Sequence, residues 1–193
     1  DQGMGMRVAV NLSMRNLHEP QLPEAIMQIL AQWNLEPAWL EVEITESALA
    51  ADPGRALEIL TRLSDMGVRI SIDDFGTGYS SLAYLKRLPA DEIKIDKSFV
   101  FGMATDENDA TIVRSTIDLG HNLGLKVVAE GIEDQAAWDL LETWGCDFAQ
   151  GYFLSRPLAA LDFATWLQKS ERSGALLRDA PPTLVQRRKI KAG

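Results

Sequence analysis

Two adjacent carboxylates, Asp73 and Asp74, end a β-type apolar stretch. They open a loop with two glycines and several hydroxyls, Phe75-Gly76-Thr77-Gly78-Tyr79-Ser80-Ser81. Paired acids at a strand end, beside pliable backbone, suit the holding of hard divalent cations against a phosphate. The pattern recurs: Asn11, Glu43, Lys94, Glu130 and Gln150 close other strand-like runs. The donors among them are oxygen, and neither histidine joins them, since His18 follows a strand in a loop and His121 sits in a helical pattern. Mg²⁺ or Mn²⁺ is therefore expected rather than zinc or copper. Asn11, Glu43, Asp73, Asp74 and Glu130 are more donors than one Mg²⁺ uses, because that ion keeps several waters. Two ions about 4 Å apart are expected, with one aspartate between them. Such a pair clamps a phosphodiester, acidifies a bound water and steadies the leaving oxygen. Lys94 would place a positive charge beside the water or the phosphate.

Each residue alone has a plainer explanation. Asp73 could cap the next turn, Lys94 could pair with Asp96, and Asn11 could bond its own loop. Glu130 and Glu133 could cap a helix, and Gln150-Gly151-Tyr152 could be a tight strand exit. Five strand ends bearing such groups are hard to explain that way together. If they converge, their carboxylates repel strongly unless cations lie between them.

The elements that would position these residues alternate along the chain. Strands are expected at Val8 to Ser13, Leu40 to Thr45, Val68 to Ile72, Glu92 to Ile95, Lys126 to Ala129 and Phe148 to Leu154. Helical spacing runs from about Pro23 to Trp33, with Leu22, Ile26, Ile29, Leu30 and Trp33 inward. Further helices are expected from Pro53 to Gly67, from Ser80 to Pro89, and from about Asp109 to Leu123 with Ile112, Val113, Thr116, Ile117 and Leu123 inward. Asp134 caps another that closes at Gly145, and Leu161 to Gln168 is the last. Repeated strand–helix units imply a parallel sheet with helical crossovers. No glycine-rich dinucleotide fingerprint follows any strand. An open doubly wound sheet concentrates ligands at one switch point, whereas a barrel gathers every strand end around one axis. The spread of polar strand ends favours the barrel.

A barrel needs eight strands and typically about 250 residues; six strands are read here, in a chain of 193 residues. The start at Asp1 reads as the end of a loop, so truncation by roughly fifty to sixty residues is expected from the barrel's usual size. Residues 1–170 are expected to form a partial domain lacking its first two strands, and 171–193, with Pro181-Pro182 and Arg187-Arg188-Lys189, a flexible tail. The formal charge of −9 argues against non-specific binding of nucleic-acid polymers. Cys146 is the only cysteine, which excludes an intrachain disulfide and a cysteine-rich zinc site. No apolar run approaches the ~20 residues of a membrane span, and Asp1 to Arg7 shows no signal-peptide pattern. A reducing cytosol fits the single cysteine.

Six ordered segments together resemble the EAL domain family, bacterial phosphodiesterases that hydrolyse cyclic di-GMP to linear pGpG. They are Asn11-Leu12-Ser13, Glu43-Ile44-Thr45-Glu46-Ser47, Asp73 to Leu82, Ile93-Lys94-Ile95-Asp96, Val128 to Glu133 and Gln150-Gly151-Tyr152. The resemblance implies a TIM-like (β/α)8 barrel of the EAL type, with about six of its eight strand–helix units here and an antiparallel first strand outside them. It implies that Asn11, Glu43 and Asp73 hold one Mg²⁺ or Mn²⁺, and that Asp73 and Asp74, with Glu130 near, hold a second. Lys94, Asp74 and Glu130 become the catalytic set, with Lys94 positioning the attacking water. Gln150 lies at the site floor, Asp96 and Glu133 face the substrate or support the site, and Glu46 anchors the loop from Phe75 to Ser81. The family also implies a homodimer, a fused or partner sensory or diguanylate cyclase-like (GGDEF-type) domain, and the bacterial cytoplasm, including the cytoplasmic part of a membrane-bound protein. The Glu-Ala-Leu tripeptide that names the family, whose glutamate is a metal ligand, is not in this chain. The chain by itself is therefore expected to be weakly active or inactive unless another segment supplies that ligand. Rival expectations are a non-catalytic cyclic di-GMP receptor and, more distantly, a barrel phosphohydrolase for another ester.

Overall fold

Leu40–Thr45 and Glu92–Ile95 alternate apolar and charged residues, which gives these strands one face of each kind. The computed structural model describes residues 6–78 and 81–169. Its strands are Val8–Asn11 (β1), Leu40–Thr45 (β2), Arg69–Phe75 (β3), Glu92–Ile95 (β4), Lys126–Glu130 (β5) and Phe148–Gln150 (β6). All pair in parallel, in the order of the sequence. The helices are Met14–Leu17 (α1), Leu22–Gln32 (α2), Glu46–Ala51 (α3), Pro53–Asp65 (α4), Leu82–Leu85 (α5), Lys97–Gly102 (α6), Glu107–Asn122 (α7), Gln135–Thr143 (α8) and Ala160–Lys169 (α9). Strands added in order, each through a crossover, make a barrel sector, and the six curl into a half-barrel. Among the described residues β1 and β6 are its edges. The expected count of six units is met.

One face of the sheet is apolar. Val42, Ile44, Ile70, Ile72, Ile93, Ile95, Val127 and Ala129 are all at most 1% exposed. Helices cover this face: a methyl added at Gly120 of α7 would lie 2.5 Å from Val127 Cγ2 and 3.0 Å from Ile93 Cδ1. The opposite face carries Ala9, Asn11, Glu41, Glu43, Arg69, Ser71, Asp73, Glu92, Lys94 and Glu130, aligned by register: Asn11 beside Glu43, Glu43 beside Ser71, Ser71 beside Glu92. Parallel strands buried on both faces read as continuous apolar runs. These do not, because their second face is a charged barrel lining.

The helices α2, α4, α7 and α8 return to the sheet through one device. Asn34, Gly67, Gly124 and Gly145 each take a left-handed turn. The next residue's N–H then bonds a carbonyl five residues back, as Leu35 does to Leu30 and Val68 to Leu63. At this end of the sheet the Asp91 carboxylate accepts from Ile70 N at 3.0 Å, and Asp147 from Val127 N at 3.0 Å. Asp147 also binds Lys126 Nζ at 2.6 Å and His121 Nε2 at 2.8 Å, closing α7 onto the sheet.

Several expected boundaries shift. α7 starts at Glu107 on an Asp106 cap, two residues before the Asp109 expected. β6 stops at Gln150 instead of Leu154, because Ile132 N bonds Gln150 O and Phe153 N bonds Ile132 O, turning the chain. Ile29, Trp33 and Ile112, expected inward, are 57%, 70% and 38% exposed. α2 packs against α4, and Leu22, Ile26, Met27 and Leu30 are its residues that meet the core. The expected cap at Ser80 and the tail 171–193 lie outside the described residues; Ser81 occupies the cap position of α5 without a side-chain bond.

Candidate active site

The first acid of the pair ends no strand. β3 continues to Phe75, and the pair falls in a bulge: from Ile72↔Ile93 to Phe75↔Ile95, β3 advances three residues while β4 advances two. Asp74 takes up the extra residue with φ of 54°. In regular β backbone, neighbours point to opposite faces. The left-handed residue, costing about 1–2 kcal/mol for a non-glycine, turns the second carboxyl back toward the first. Asp74 N donates to Asp73 Oδ1 at 3.1 Å, fixing the turn. Burial, then the charge of Asp73, then that of Asp96, raises the Asp74 carboxyl above its ordinary range.

Lys94 stands at the centre. Its side chain rises from β4 and is nearly buried, with the residue 5% exposed. Nζ lies 2.7 Å from Glu43 Oε1 on β2, 3.3 Å from Asp73 Oδ1 on β3 and 2.6 Å from Glu130 Oε1 on β5. Burial works to lower the ammonium's pKa. Hydrogen bonds to Glu130 and Glu43 and the charge of Asp73 outweigh it and hold the group above the usual lysine range. Burial raises Glu130, and Lys94 opposes that rise. The lysine pairs with these three acids, not with Asp96. Asp96 instead caps α6, accepting from Ser98 N at 2.9 Å and from the Ser98 hydroxyl, while its carboxyl also meets that of Asp74.

The remaining expected residues fall as follows. Asn11 lies beside Glu43 in register, and Gln150 beside Glu130, both exposed. Glu46, 3% exposed, accepts from Gly76 N at 3.1 Å and Gly78 N at 2.9 Å, so one carboxylate ties the loop down. The loop is backed on its other side by Phe99 of α6, whose ring would meet a methyl on Gly76 at 3.1 Å. Glu133 lies apart from the Lys94 cluster, on a shallow cavity of about 280 Å³ lined also by Val100, Phe101, Asp134 and Ala137.

A second charged layer was not expected. One step down the lining, Glu41 accepts from Arg7 Nη1 at 3.1 Å, and Arg69 Nε approaches it to 3.7 Å as an ion pair. Glu92, 4% exposed, accepts from Ser71 Oγ at 3.2 Å. The alternation of charge in Leu40–Thr45 and Glu92–Ile95 carried the signal for this layer. Burial, then the charge of Glu41, pushes Glu92 up to about 7, against Ser71, Arg69 and Arg7. A carboxyl raised from 4.5 stabilises the fold fully below that value and loses its contribution as pH rises through about 7. Glu92→Gln is expected to match the parent at pH 5 and to exceed it at pH 8 by about 1–3 kcal/mol. Urea unfolding at the two pH values measures this; equal differences at both would show that ionisation is not the cost.

The donors fit a hard cation by type: carboxylate and amide oxygen throughout, three of the carboxylates already converging on one positive charge. Among the described residues no three Asp, Glu, His or Cys side chains are grouped closely enough to hold an ion as they stand. The acids are set at ammonium distances, longer than the about 2.0–2.1 Å of Mg²⁺–oxygen bonds.

The chain was also compared with known proteins. The EAL domain family model matches residues 1–157. The bifunctional diguanylate cyclase/cyclic di-GMP phosphodiesterase MucR of Pseudomonas aeruginosa is 49% identical over 153 residues, covering 79% of this chain and 22% of MucR. The cyclic di-GMP phosphodiesterase PdeR of Escherichia coli is 36% identical over 169 residues, covering 88% and 26%. The chain thus spans about a quarter or less of these relatives. Among solved structures, the PaMucR phosphodiesterase in its c-di-GMP complex matches with a TM-score of 0.79 and 48% identity, over 81% of this chain and 64% of that one. The EAL domain of Mycobacterium smegmatis DcpA matches with a TM-score of 0.79 and 39% identity, over 84% and 73%. With its half-barrel of parallel strands and its acids gathered at their C-terminal ends, the chain belongs to the EAL domain family.

Proposed function

We propose that this chain carries the acid-rich face of a phosphodiesterase that hydrolyses cyclic di-GMP to linear pGpG. The observation that carries the reading is the convergence of Glu43, Asp73 and Glu130 on Lys94 in the C-terminal halves of four neighbouring strands. MucR and PdeR, which bear the phosphodiesterase name, support the substrate. Mg²⁺ or Mn²⁺, held by Asn11, Glu43, Asp73, Asp74 and Glu130, would supply Lewis acidity toward the phosphodiester and an acidified water. The chain's residues do the rest. Lys94 neutralises the acids and presents its charge to a phosphate oxygen. Glu130, raised by burial, is suited to take a proton from the attacking water. Glu46 fixes the backbone after Asp74, and Gln150, Asp96 and Glu133 border the substrate.

The same reading includes a homodimer, supported by exposed Leu82 on α5 and Phe101 on α6, at 59% and 73%, on the elements that follow the loop and back it. It includes a companion signalling domain and a cytoplasmic setting; no described helix is long and apolar enough to cross a membrane. The test is chromatography of cyclic di-GMP incubated with the protein carrying these residues. Linear pGpG is expected with Mg²⁺ or Mn²⁺ and none with excess chelator. Nucleotide binding that survives chelation without hydrolysis would support the receptor instead.

A further inference from the structure

Three carboxylates on three strands share a single ammonium group, and all three belong to the proposed metal set. The oxygens that face Lys94 Nζ are Glu43 Oε1, Asp73 Oδ1 and Glu130 Oε1, at 2.6–3.3 Å. An oxygen at that distance from an ammonium must shorten its contact by roughly 0.5–1.2 Å to bind Mg²⁺ or Mn²⁺. Three such oxygens cannot close around a small ion while Nζ stays among them. The two cations also repel at this separation, in a site where screening by water is weak.

We propose that Lys94 is an internal counter-ion that competes with the divalent cation for the oxygens of Glu43, Asp73 and Glu130. The inference rests on the metal reading above and adds a role for the lysine before any substrate arrives. With Nζ in place the three acids are held together and neutralised. When the ion binds, Nζ leaves them and becomes free to meet an anionic oxygen. A phosphodiester that binds the freed ammonium favours the displaced lysine, and so does the ion. By reciprocity each ligand must then tighten the other. Weak metal binding in the absence of substrate is thereby built into the site.

The test uses the chain itself and Mn²⁺ alone, followed by the loss of the free-ion electron paramagnetic signal. Lys94→Met is expected to bind Mn²⁺ at least about tenfold more tightly than the parent, since one competing charge is gone. Lys94→Arg, which keeps the charge, is expected to stay near the parent's affinity. The melting temperature of Lys94→Met without metal is expected to fall, and its rise on adding Mn²⁺ to exceed the parent's. If Lys94→Met does not fold without metal, the parent answers alone: the Lys94 ammonium resonance, assigned by its loss in Lys94→Arg, is expected to shift on titration with diamagnetic Mg²⁺. Equal Mn²⁺ affinity in parent and Lys94→Met, or an ammonium signal that Mg²⁺ leaves unmoved while binding, overturns the competition and leaves the metal reading standing. Absence of Mn²⁺ binding in every protein overturns both.

Discussion

Asp73→Asn is expected to lower kcat/KM for cyclic di-GMP hydrolysis by about 10³-fold or more, the range seen when a group that organises transition-state charge is lost. Asp73 is the acid with the most to do. Its Oδ1 accepts from Asp74 N at 3.1 Å, which holds the bulge, and lies 3.3 Å from Lys94 Nζ. It is also the residue placed between the two proposed ions. Asparagine keeps an oxygen for the backbone bond and nearly the same volume, so the turn at Asp74 should survive. The charge does not survive, and a neutral amide is a poor bridge between dications. The measurement pairs pGpG production with thermal melting. Activity should vanish while the melting temperature moves little. A variant retaining a tenth of the parent's activity would falsify the bridging role.

Gly151→Ala is expected to destabilise the fold by about 3 kcal/mol or more, through backbone overlap with no soft neighbour to yield. A methyl there would stand 2.1 Å from Ile132 O and 2.3 Å from Ile132 N. The same two atoms bond Phe153 N at 3.0 Å and Gln150 O at 3.1 Å, so moving Ile132 aside breaks the link that holds β6 to the segment after β5. Gln150 sits in register with Glu130, and the site would loosen with the fold. For a chain of this size the melting temperature should drop by roughly 6–12 °C. A circular-dichroism melt within 2 °C of the parent would mean that the close approach is not needed.

The sheet was readable because short apolar runs alternate with helical patterns and each run closes on a polar residue, which placed the acids toward the strand ends. Three short helices were not readable. α1, α3 and α6 begin directly at strand ends, on Ser13, Thr45 and Asp96, where a capping residue and a site residue look alike in sequence. Asp96 is both: it caps α6 and touches Asp74. The bulge at Asp74 was hidden for another reason, since an extra residue exists only relative to the partner strand β4. The lower layer of Arg7, Glu41, Ser71 and Glu92 needed the register of four strands before any pairing could be seen. Trp33 and Ile29 misled because helical spacing reports an apolar stripe but not whether a neighbour covers it.

The sequential strand order has a consequence for how this chain acquires its shape. Among the described residues every pairing joins a strand to the one made just before it, from Val8↔Leu40 to Val128↔Phe148, so each loop to be closed is about one strand–helix unit long. Loop-closure entropy rises slowly with length, and none of the five pairings among the described strands must wait for distant ends to meet. Assembly can proceed by accretion, one unit docking on the last, as in repeat proteins where each unit touches its neighbours. The acids around Lys94 then arrive in chain order, Glu43 before Asp73 and Glu130 after Lys94. The positive charge that reconciles them is in place before the last acid has to be buried.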